Sequence, residues 1–256
     1  MPALRFLITA LPKSGIHLLD NMLAPIAKMM SGSTRACAVW VTAHAFAGWG
    51  TGLTPKATTM ERLENMLRIG HGGGHLAALV DVVAWCLSNE VAVIHLYRDL
   101  REVAVSEAYH VANPSKEFLH PYKAELAALP THKARISAIL QGYREHAPLR
   151  QRWELFAGWL NVPWVLNVPF NDLVTDKEGG AWALLNYLTM TSDVQFPYDL
   201  VHAMVAASSP LRSQTFRKGV AGSWRDDFDG ELIEIGRAAL GPWWKWCEEQ
   251  FEEVLH

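Results

Sequence analysis

Three short motifs hold most of the residues with which this chain could do chemistry. They are PKSG at 12–15, YRDLREVAVS at 97–106 and FRKGVAGSW at 216–224. Each combines basic side chains with serine or glycine, the residues that bind phosphate or sulfate through charge, hydroxyl groups and exposed backbone N–H groups. The spacing of apolar residues around each motif predicts the elements that must position it.

The first motif lies between a predicted strand and a predicted helix. The apolar run at 3–10 predicts a buried strand, and HLLDNMLAPIAKMM after the Ser14-Gly15 turn has helical spacing. The first N–H groups of a helix lack internal partners and favour an anion in front of them, and Lys13 adds a mobile cation. The lysine precedes the glycine, so this is not the GxxxxGK[ST] loop. A surface turn that only caps a helix is the alternative.

The second motif follows another predicted strand, VAVIHLY at 91–97, and Asp99 can cap the helix after it. Arg98 stands at the strand end, and Ser106 lies eight residues later on nearly the same helical face. An arginine fork and a hydroxyl that converge in this way suit a terminal phosphate. A structural salt bridge from Arg98 to Asp99 or Glu102 is the alternative.

The third motif places Arg217, Lys218 and Gly219 in a predicted loop, with Phe216 and Trp224 on either side. Basic side chains beside a glycine let backbone N–H groups approach a phosphate. A solvated run of charges would rarely be bracketed by two aromatic residues.

A glycine-rich segment, IGHGGGHLAA at 69–78, contains His71 and His75. HGGG resembles the oxyanion loop of lipases, but the chain has no G-x-S-x-G nucleophile motif. Helical metal pairs also place two histidines four residues apart, although three glycines disfavour a helix. In a flexible glycine loop either imidazole could act as a general base.

In this order and spacing, the motifs resemble the signature of sulfotransferases that use 3′-phosphoadenosine 5′-phosphosulfate (PAPS), over residues 3–228. The resemblance implies that Lys13 contacts the bridging oxygen of the donor, that Arg98 and Ser106 bind its 3′-phosphate, and that Phe170 borders the adenine. The implied nucleotide contacts are Lys13, Ser14, Gly15, Ile16, His17, Arg98, Ser106, Phe170, Arg217, Lys218 and Gly219.

The resemblance also implies a catalytic base. The family has a His-Leu pair about 22 residues before the arginine of the second motif, and His75 lies 23 residues before Arg98. His75 is therefore the expected base, with His71 in reserve. One departure concerns the first motif, where many members have two threonines and a tryptophan after the glycine. Here Ile16, His17 and Leu18 stand instead, so two hydroxyl donors are missing and His17 could donate in place of one.

The whole pattern predicts one α/β domain over 1–256, with a central, mostly parallel sheet flanked by helices in a P-loop-like nucleotide-binding architecture. A third strand is expected near 162–170. Helices are expected over 131–160 with a break near Pro148, over 179–207, and from Pro242 to the end.

Composition excludes several classes of protein. The net charge of −3 disfavours a nucleic-acid-binding face, and three widely separated cysteines disfavour a disulfide framework or a zinc site. No apolar stretch approaches the roughly 20 residues that span a bilayer. We therefore expect a cytoplasmic protein without metal, nucleic-acid or membrane partners. The oligomeric state stays open.

The predicted function is sulfuryl transfer from PAPS to a hydroxyl, or less readily an amine, of a small-molecule acceptor, with release of 3′,5′-ADP (PAP). His44, Phe46 and Trp49 could line an apolar acceptor pocket, although the eleven tryptophans of the chain could equally be core residues. Two alternatives remain: a nucleotide-binding protein of the same fold with weak or lost catalysis, and a small-molecule hydrolase.

Overall fold

The computed structural model describes residues 4–42, 57–113, 123–144, 146–209 and 222–252. Within these ranges five parallel strands form one sheet of order β2-β3-β1-β4-β5. The strands are β1 (Phe6–Ala10), β2 (Trp40–Thr42), β3 (His71–His75), β4 (Ala92–Tyr97) and β5 (Leu166–Pro169). The predicted α/β fold class with a parallel central sheet is confirmed.

The described helices come before, between and after these strands. They are α1 (Ile16–Ser31), α2 (Ala57–Ile69), α3 (Val80–Ser88), α4 (Leu100–Ala112), α5 (Lys123–Ala127), α6 (His132–Gln141), α7 (Leu149–Ala157), α8 (Phe170–Thr175), α9 (Lys177–Met190), α10 (Leu200–Ala207), α11 (Gly230–Leu240) and α12 (Pro242–Phe251). Short 3₁₀ helices occupy Gly158–Asn161 and Ser223–Asp226.

The chain divides into two compact units. The described residues of the first are 4–42, 57–97 and 155–209, and those of the second are 98–113, 123–144, 146–154 and 222–252. The single domain expected over 1–256 stays a prediction.

The first unit contains the sheet, with helices on both of its faces. Every residue of β1 and β4 is buried, as is typical of parallel strands covered on two sides. Phe6 and Ile8 pack in the core on one face with residues of α1, α9 and α10. Leu7, between them, packs in the core on the other face with residues of α2 and α3. Successive side chains of β1 point to opposite faces of the sheet, so β1 contributes to both cores.

The second unit is helical, with α4 packed against α5, α6 and α12, and α11 against α6 and α12. A buried ion pair stabilises its interior: the Arg152 guanidinium donates to both carboxylate oxygens of Glu107, at 3.1 and 2.8 Å. Burial by itself would raise the pKa of Glu107, but Arg152 and His146 more than offset it and hold that pKa well below its usual range.

The elements expected from apolar spacing are present, several with different bounds. The third strand is only β5, because Phe170 already begins α8. The helix expected over 131–160 is divided into α6, α7 and a 3₁₀ turn, and the helix over 179–207 into α9 and α10. The terminal helix begins at Pro242 as predicted, since proline is favoured in a first helical turn.

The glycine-rich segment is a strand, so the expectation of a flexible loop there is wrong. HGGGH forms β3, between β1 and β2, where the backbone is hydrogen-bonded on both sides. Glycine is required because neighbours lie too close for a side chain. A Cβ on Gly72 would lie 2.7 Å from the Met66 side chain, and a Cβ on Gly74 would collide with the carbonyl oxygen of Val41.

Gly74→Ala should therefore destabilise the fold by about 3 kcal/mol or more, because the backbone of β2 would have to move. Denaturant unfolding monitored by tryptophan fluorescence would measure the loss. Gly230→Ala is the matched control, since nothing lies within 4 Å of a Cβ at that position. Equal stability of Gly74→Ala and the wild-type chain would contradict the β2–β3 pairing.

Candidate functional site

The loop between β1 and α1 contains the first motif. β1 ends at Ala10, and a bond of 3.1 Å from the Ser14 N–H to the Leu11 carbonyl closes a tight turn. Lys13 and Gly15 both have left-handed backbone angles, with φ of 73° and 98°. For lysine this conformation costs on the order of 1–2 kcal/mol, a kind of strain that clusters at functional sites.

The N-terminus of α1 lacks the side chains that usually satisfy a helix start. Its cap is Gly15, no side-chain cap bond to its first N–H groups is found among the described residues, and no acidic residue lies in its first turn. By contrast, the side chain of Asp99 caps α4 and that of Asp229 caps α11. The predicted cap at Asp99 is confirmed. The positive end of the α1 dipole is therefore not neutralised by its own first turn.

The hydroxyl of Ser14 is buried at the same point. Ser14 is 1% exposed, and its Oγ has no hydrogen-bond partner among the described residues. A buried hydroxyl without a partner is costly, so it indicates a group that is satisfied by something other than those residues. With the adjacent N–H groups of α1, it forms a site suited to an anion.

Phe170 packs directly on this loop. It is the first residue of α8 after β5, it is 5% exposed, and a Cβ on Gly15 would lie 2.5 Å from its ring. The ring therefore rests on the backbone of the loop and belongs to the core around β1 and α1.

His75 is the last residue of β3 and lies beside the end of β1. Its Nδ1 is 2.7 Å from the carbonyl oxygen of Ala10. Since a carbonyl only accepts, Nδ1 carries the proton and Nε2 is the basic nitrogen of the neutral ring. The Thr9 hydroxyl holds the next residue by donating to the Leu76 carbonyl at 2.8 Å and accepting from its N–H at 3.1 Å.

Burial lowers the pKa of His75 to about 4, and the charges of His17 and Lys13 lower it as well, while the bond to Ala10 opposes them. The imidazole is therefore neutral at physiological pH and able to accept a proton. Trp40 lies between the two histidines: its ring is stacked with His17 at 6.0 Å and meets His75 edge to face at 5.3 Å. His75, His17, Trp40 and Lys13 thus form one cluster in the first unit.

His71, the reserve base, lies at the start of β3 and is fully buried. Its ring is stacked on Phe6, its Nδ1 is 2.9 Å from the Ala36 carbonyl, and its Nε2 is 2.7 Å from the Ser31 hydroxyl. These contacts join β3 to the C-terminal end of α1, which is a structural arrangement.

In the second unit Arg98 is held by an acidic neighbour. Its Nε donates to Glu102 Oε2 at 2.8 Å, and both side chains are largely buried. This is the salt bridge that the sequence left open as an alternative. Ser106 lies two turns further along α4 and is partly buried.

The residues around Arg101 were not predicted. This fully buried guanidinium donates to both carboxylate oxygens of Asp99, to Glu252, and lies 4.1 Å above the ring of Trp224. Ser223 also donates its N–H to Glu102 Oε1 at 3.1 Å. The start of α4 therefore holds the last two residues of the third motif, Ser223 and Trp224. The only signal in the sequence was the tryptophan beside a basic run.

Arg217, Lys218 and Gly219 lie outside the described residues, as do His44, Phe46 and Trp49. Among the residues that are described, no group of three or more His, Cys, Asp and Glu could hold a metal ion. None of the described helices combines the length and apolar character needed to cross a membrane.

Two buried histidines should make the fold sensitive to acid. Burial lowers the pKa of His95 to about 4, as for His75, although its bond to Asn167 opposes the shift. The unfolded values are near ~6.5, so the unfolded chain binds more protons between these limits. Stability should be constant above about pH 6.5 and fall as pH decreases toward 4.

Urea unfolding between pH 7.5 and 4.5 would measure this slope. His95→Asn, which keeps an N–H donor for Asn167, should reduce the slope by about one proton per molecule at pH 5. An unchanged slope would show that His95 is not buried in its neutral form.

Solved structures of three PAP complexes have a fold similar to that of this chain. A complex of mouse sulfotransferase SULT7A1 with PAP matches with a TM-score of 0.63 at 14% identity, covering 96% of this chain and 89% of that one. Retinol dehydratase with androsterone and inactive cofactor PAP matches with a TM-score of 0.60 at 15% identity, covering 98% and 83%. Retinol dehydratase with retinol and PAP matches with a TM-score of 0.56 at 14% identity, covering 100% and 85%.

No protein-family model matches the chain, and no curated protein matches it by sequence. At 14–15% identity the likeness is one of fold. The chain therefore has the fold of PAP-binding sulfotransferases over nearly its whole length.

Proposed function

We propose that this protein is a sulfotransferase that moves a sulfuryl group from PAPS to a hydroxyl, or less readily an amine, of a small-molecule acceptor and releases PAP. The fold likeness and the three motifs support this activity. A cytoplasmic location is part of the proposal, and it is supported by three widely separated cysteines, which fit a reducing compartment.

The observation that carries the proposal is the N-terminus of α1. A left-handed lysine, a buried serine hydroxyl and an uncapped helix start come together where the resemblance places the 5′-phosphosulfate. Each of these features is unfavourable in a loop that only connects β1 to α1. Together they suit a bound anion.

The remaining nucleotide contacts follow from the motif resemblance. Ser14, Gly15, Ile16 and His17 would surround the phosphosulfate through backbone and side-chain donors. Arg98 and Ser106 would bind the 3′-phosphate, Phe170 would border the adenine, and Arg217, Lys218 and Gly219 would contribute from the third motif. No metal is needed, because lysine and backbone donors balance the charge.

The reaction requires a base and a cation. As the acceptor oxygen bonds to sulfur and the bond from sulfur to the bridging oxygen breaks, the hydroxyl proton moves to Nε2 of His75. The electron pair of the broken bond remains on the departing phosphate, where Lys13 and the N–H groups of α1 stabilise it. Since the transition state of such transfers is loose, positioning and charge balance supply most of the rate enhancement.

The acceptor is proposed to be a small apolar molecule with a hydroxyl group. Trp40 provides aromatic surface in contact with His75. Two of the structural neighbours are complexes with androsterone and with retinol, which are molecules of this kind. These two bound molecules support the chemical class of the proposed acceptor and do not identify the acceptor itself.

A second candidate is a nucleotide-binding protein with weak or lost catalysis. It is favoured by Ile16, which is 3% exposed and packs in the core where the family has a hydroxyl. The hydrolase alternative is less favoured, since the glycines of HGGG lie inside β3 and their backbone groups pair within the sheet.

Ser14→Ala should weaken binding of 3′,5′-ADP, the product PAP, by about tenfold or more, because a hydrogen bond to a charged group is worth roughly 1.5–3 kcal/mol. The melting temperature without ligand should not fall, since this hydroxyl has no partner among the described residues. Calorimetric titration and thermal unfolding would measure the two effects.

Ser31→Ala is the control, because its hydroxyl bonds to Ala27 and His71. It should lower the melting temperature and leave nucleotide affinity unchanged. If Ser14→Ala lowered stability without changing affinity, the hydroxyl would be structural and the proposed site would be wrong.

His75→Ala should keep nucleotide affinity and lower kcat by about 10²–10⁴, the contribution of a positioned base. Sulfate transfer from PAPS to a panel of phenols and alcohols would measure it. His71→Ala should instead lower stability, because His71 bonds to Ala36 and Ser31. Wild-type protein that binds 3′,5′-ADP but transfers no sulfate to any acceptor would favour the non-catalytic candidate.

A further inference from the structure

The buried carboxylate of Glu102 contacts one residue of the second motif and one residue of the third. Glu102 lies in the first turn of α4 and its side chain is 1% exposed. Its Oε2 accepts from Arg98 Nε at 2.8 Å, and its Oε1 accepts from the Ser223 N–H at 3.1 Å. Each oxygen therefore has a separate partner, one from the second motif and one from the third.

These bonds limit the conformations of Arg98. A free arginine side chain has four rotatable bonds, and ordering it on binding costs affinity. A buried carboxylate that holds Nε fixes the plane and direction of the guanidinium before any ligand arrives. The 11% exposure of the Arg98 side chain agrees with such restriction.

A second group of contacts holds the backbone in the same region. Arg101 donates to Asp99 through Nε and Nη2 at 2.9 and 2.7 Å, and its guanidinium lies 4.1 Å from the Trp224 ring. Asp99 also caps α4 by accepting from the Arg101 N–H. Because Arg101 already joins α4 to Trp224, Glu102 is not the only link between these segments.

We propose that Glu102 is a positioning residue for recognition of the nucleotide 3′-phosphate, which acts by orienting Arg98. This inference rests on the proposed function, because it takes Arg98 as the ligand of that phosphate. It adds a residue to which the motif resemblance assigned no role.

The sign of the effect separates this role from a purely electrostatic one. A carboxylate near a phosphate repels it, so a Glu102 that only reduced the positive charge of Arg98 would weaken binding, and its removal would strengthen binding. If Glu102 instead positions Arg98, its removal should weaken binding of the 3′-phosphate. Glu102→Gln presents an amide that can still accept from Ser223 through its oxygen but places an NH₂ group against Arg98 Nε.

The experiment measures the preference for the 3′-phosphate, taken as the ratio of the dissociation constants of 5′-AMP and 3′,5′-ADP. Glu102→Gln should lower this ratio about tenfold and change 5′-AMP affinity less than twofold. In an Arg98→Ala background the same change should have no effect, because Glu102 acts through Arg98. A raised or unchanged ratio in Glu102→Gln would overturn the inference. So would a decrease of the same size when Glu102→Gln is made in the Arg98→Ala background.

Glu107→Gln is the control, since it removes another buried carboxylate from α4 that pairs with Arg152 instead. It should leave the ratio unchanged. If Glu102→Gln does not fold, Glu102→Asp serves, because a side chain one methylene shorter cannot reach both partners, and it should also lower the ratio. A wild-type ratio near one would contradict the proposed function itself, which distinguishes that failure from failure of the Glu102 inference.

Discussion

Close backbone packing around β3 determines where His75 lies relative to the loop after β1. The three glycines allow β3 to fit between β1 and β2, with Met66, Ile8 and Val41 occupying the space of missing side chains. In that register β3 ends beside the end of β1, and His75 reaches the Ala10 carbonyl. Because parallel strands end at the same edge of a sheet, the loop after β1 and the start of α8 after β5 lie there too. A wider strand would displace the histidine from Lys13 and His17.

Under the proposed function, the loop after β1 loses stability in exchange for anion recognition. Lys13 is held in a left-handed conformation, Ser14 is buried without a partner among the described residues, and the start of α1 lacks a side-chain cap. Other helices of this chain have such caps, for example at Thr131 and Asp176. The difference follows from function under the proposal, because a carboxylate cap at this position would compete with the phosphosulfate.

Apolar spacing predicted the elements that are regular and missed those that depend on close contact. β1, β4, α1 and α4 follow from buried runs, helical periodicity and the Asp99 cap. β3 could not be predicted, because glycine has poor strand propensity and its use here depends on neighbours distant in sequence. The structural role of His71 could not be predicted for the same reason, because its partners Ala36 and Ser31 lie more than thirty residues away in the sequence. For Arg98 the sequence left two alternatives open, a contact to a phosphate and a salt bridge to Asp99 or Glu102.

The replacement of two hydroxyl-bearing residues changes the electrostatics of the site. Ile16 packs in the core and offers only its backbone, whereas His17 lies against Trp40 and acts on His75. Burial is the main cause of the low pKa of His75, and charge on His17 and Lys13 lowers that pKa further. Under the proposed function, a bound phosphosulfate would oppose these positive charges and raise the pKa of His75 by the part that they contribute, while the effect of burial would remain. Donor binding would then make His75 a stronger base for the acceptor, which couples the two substrates through charge.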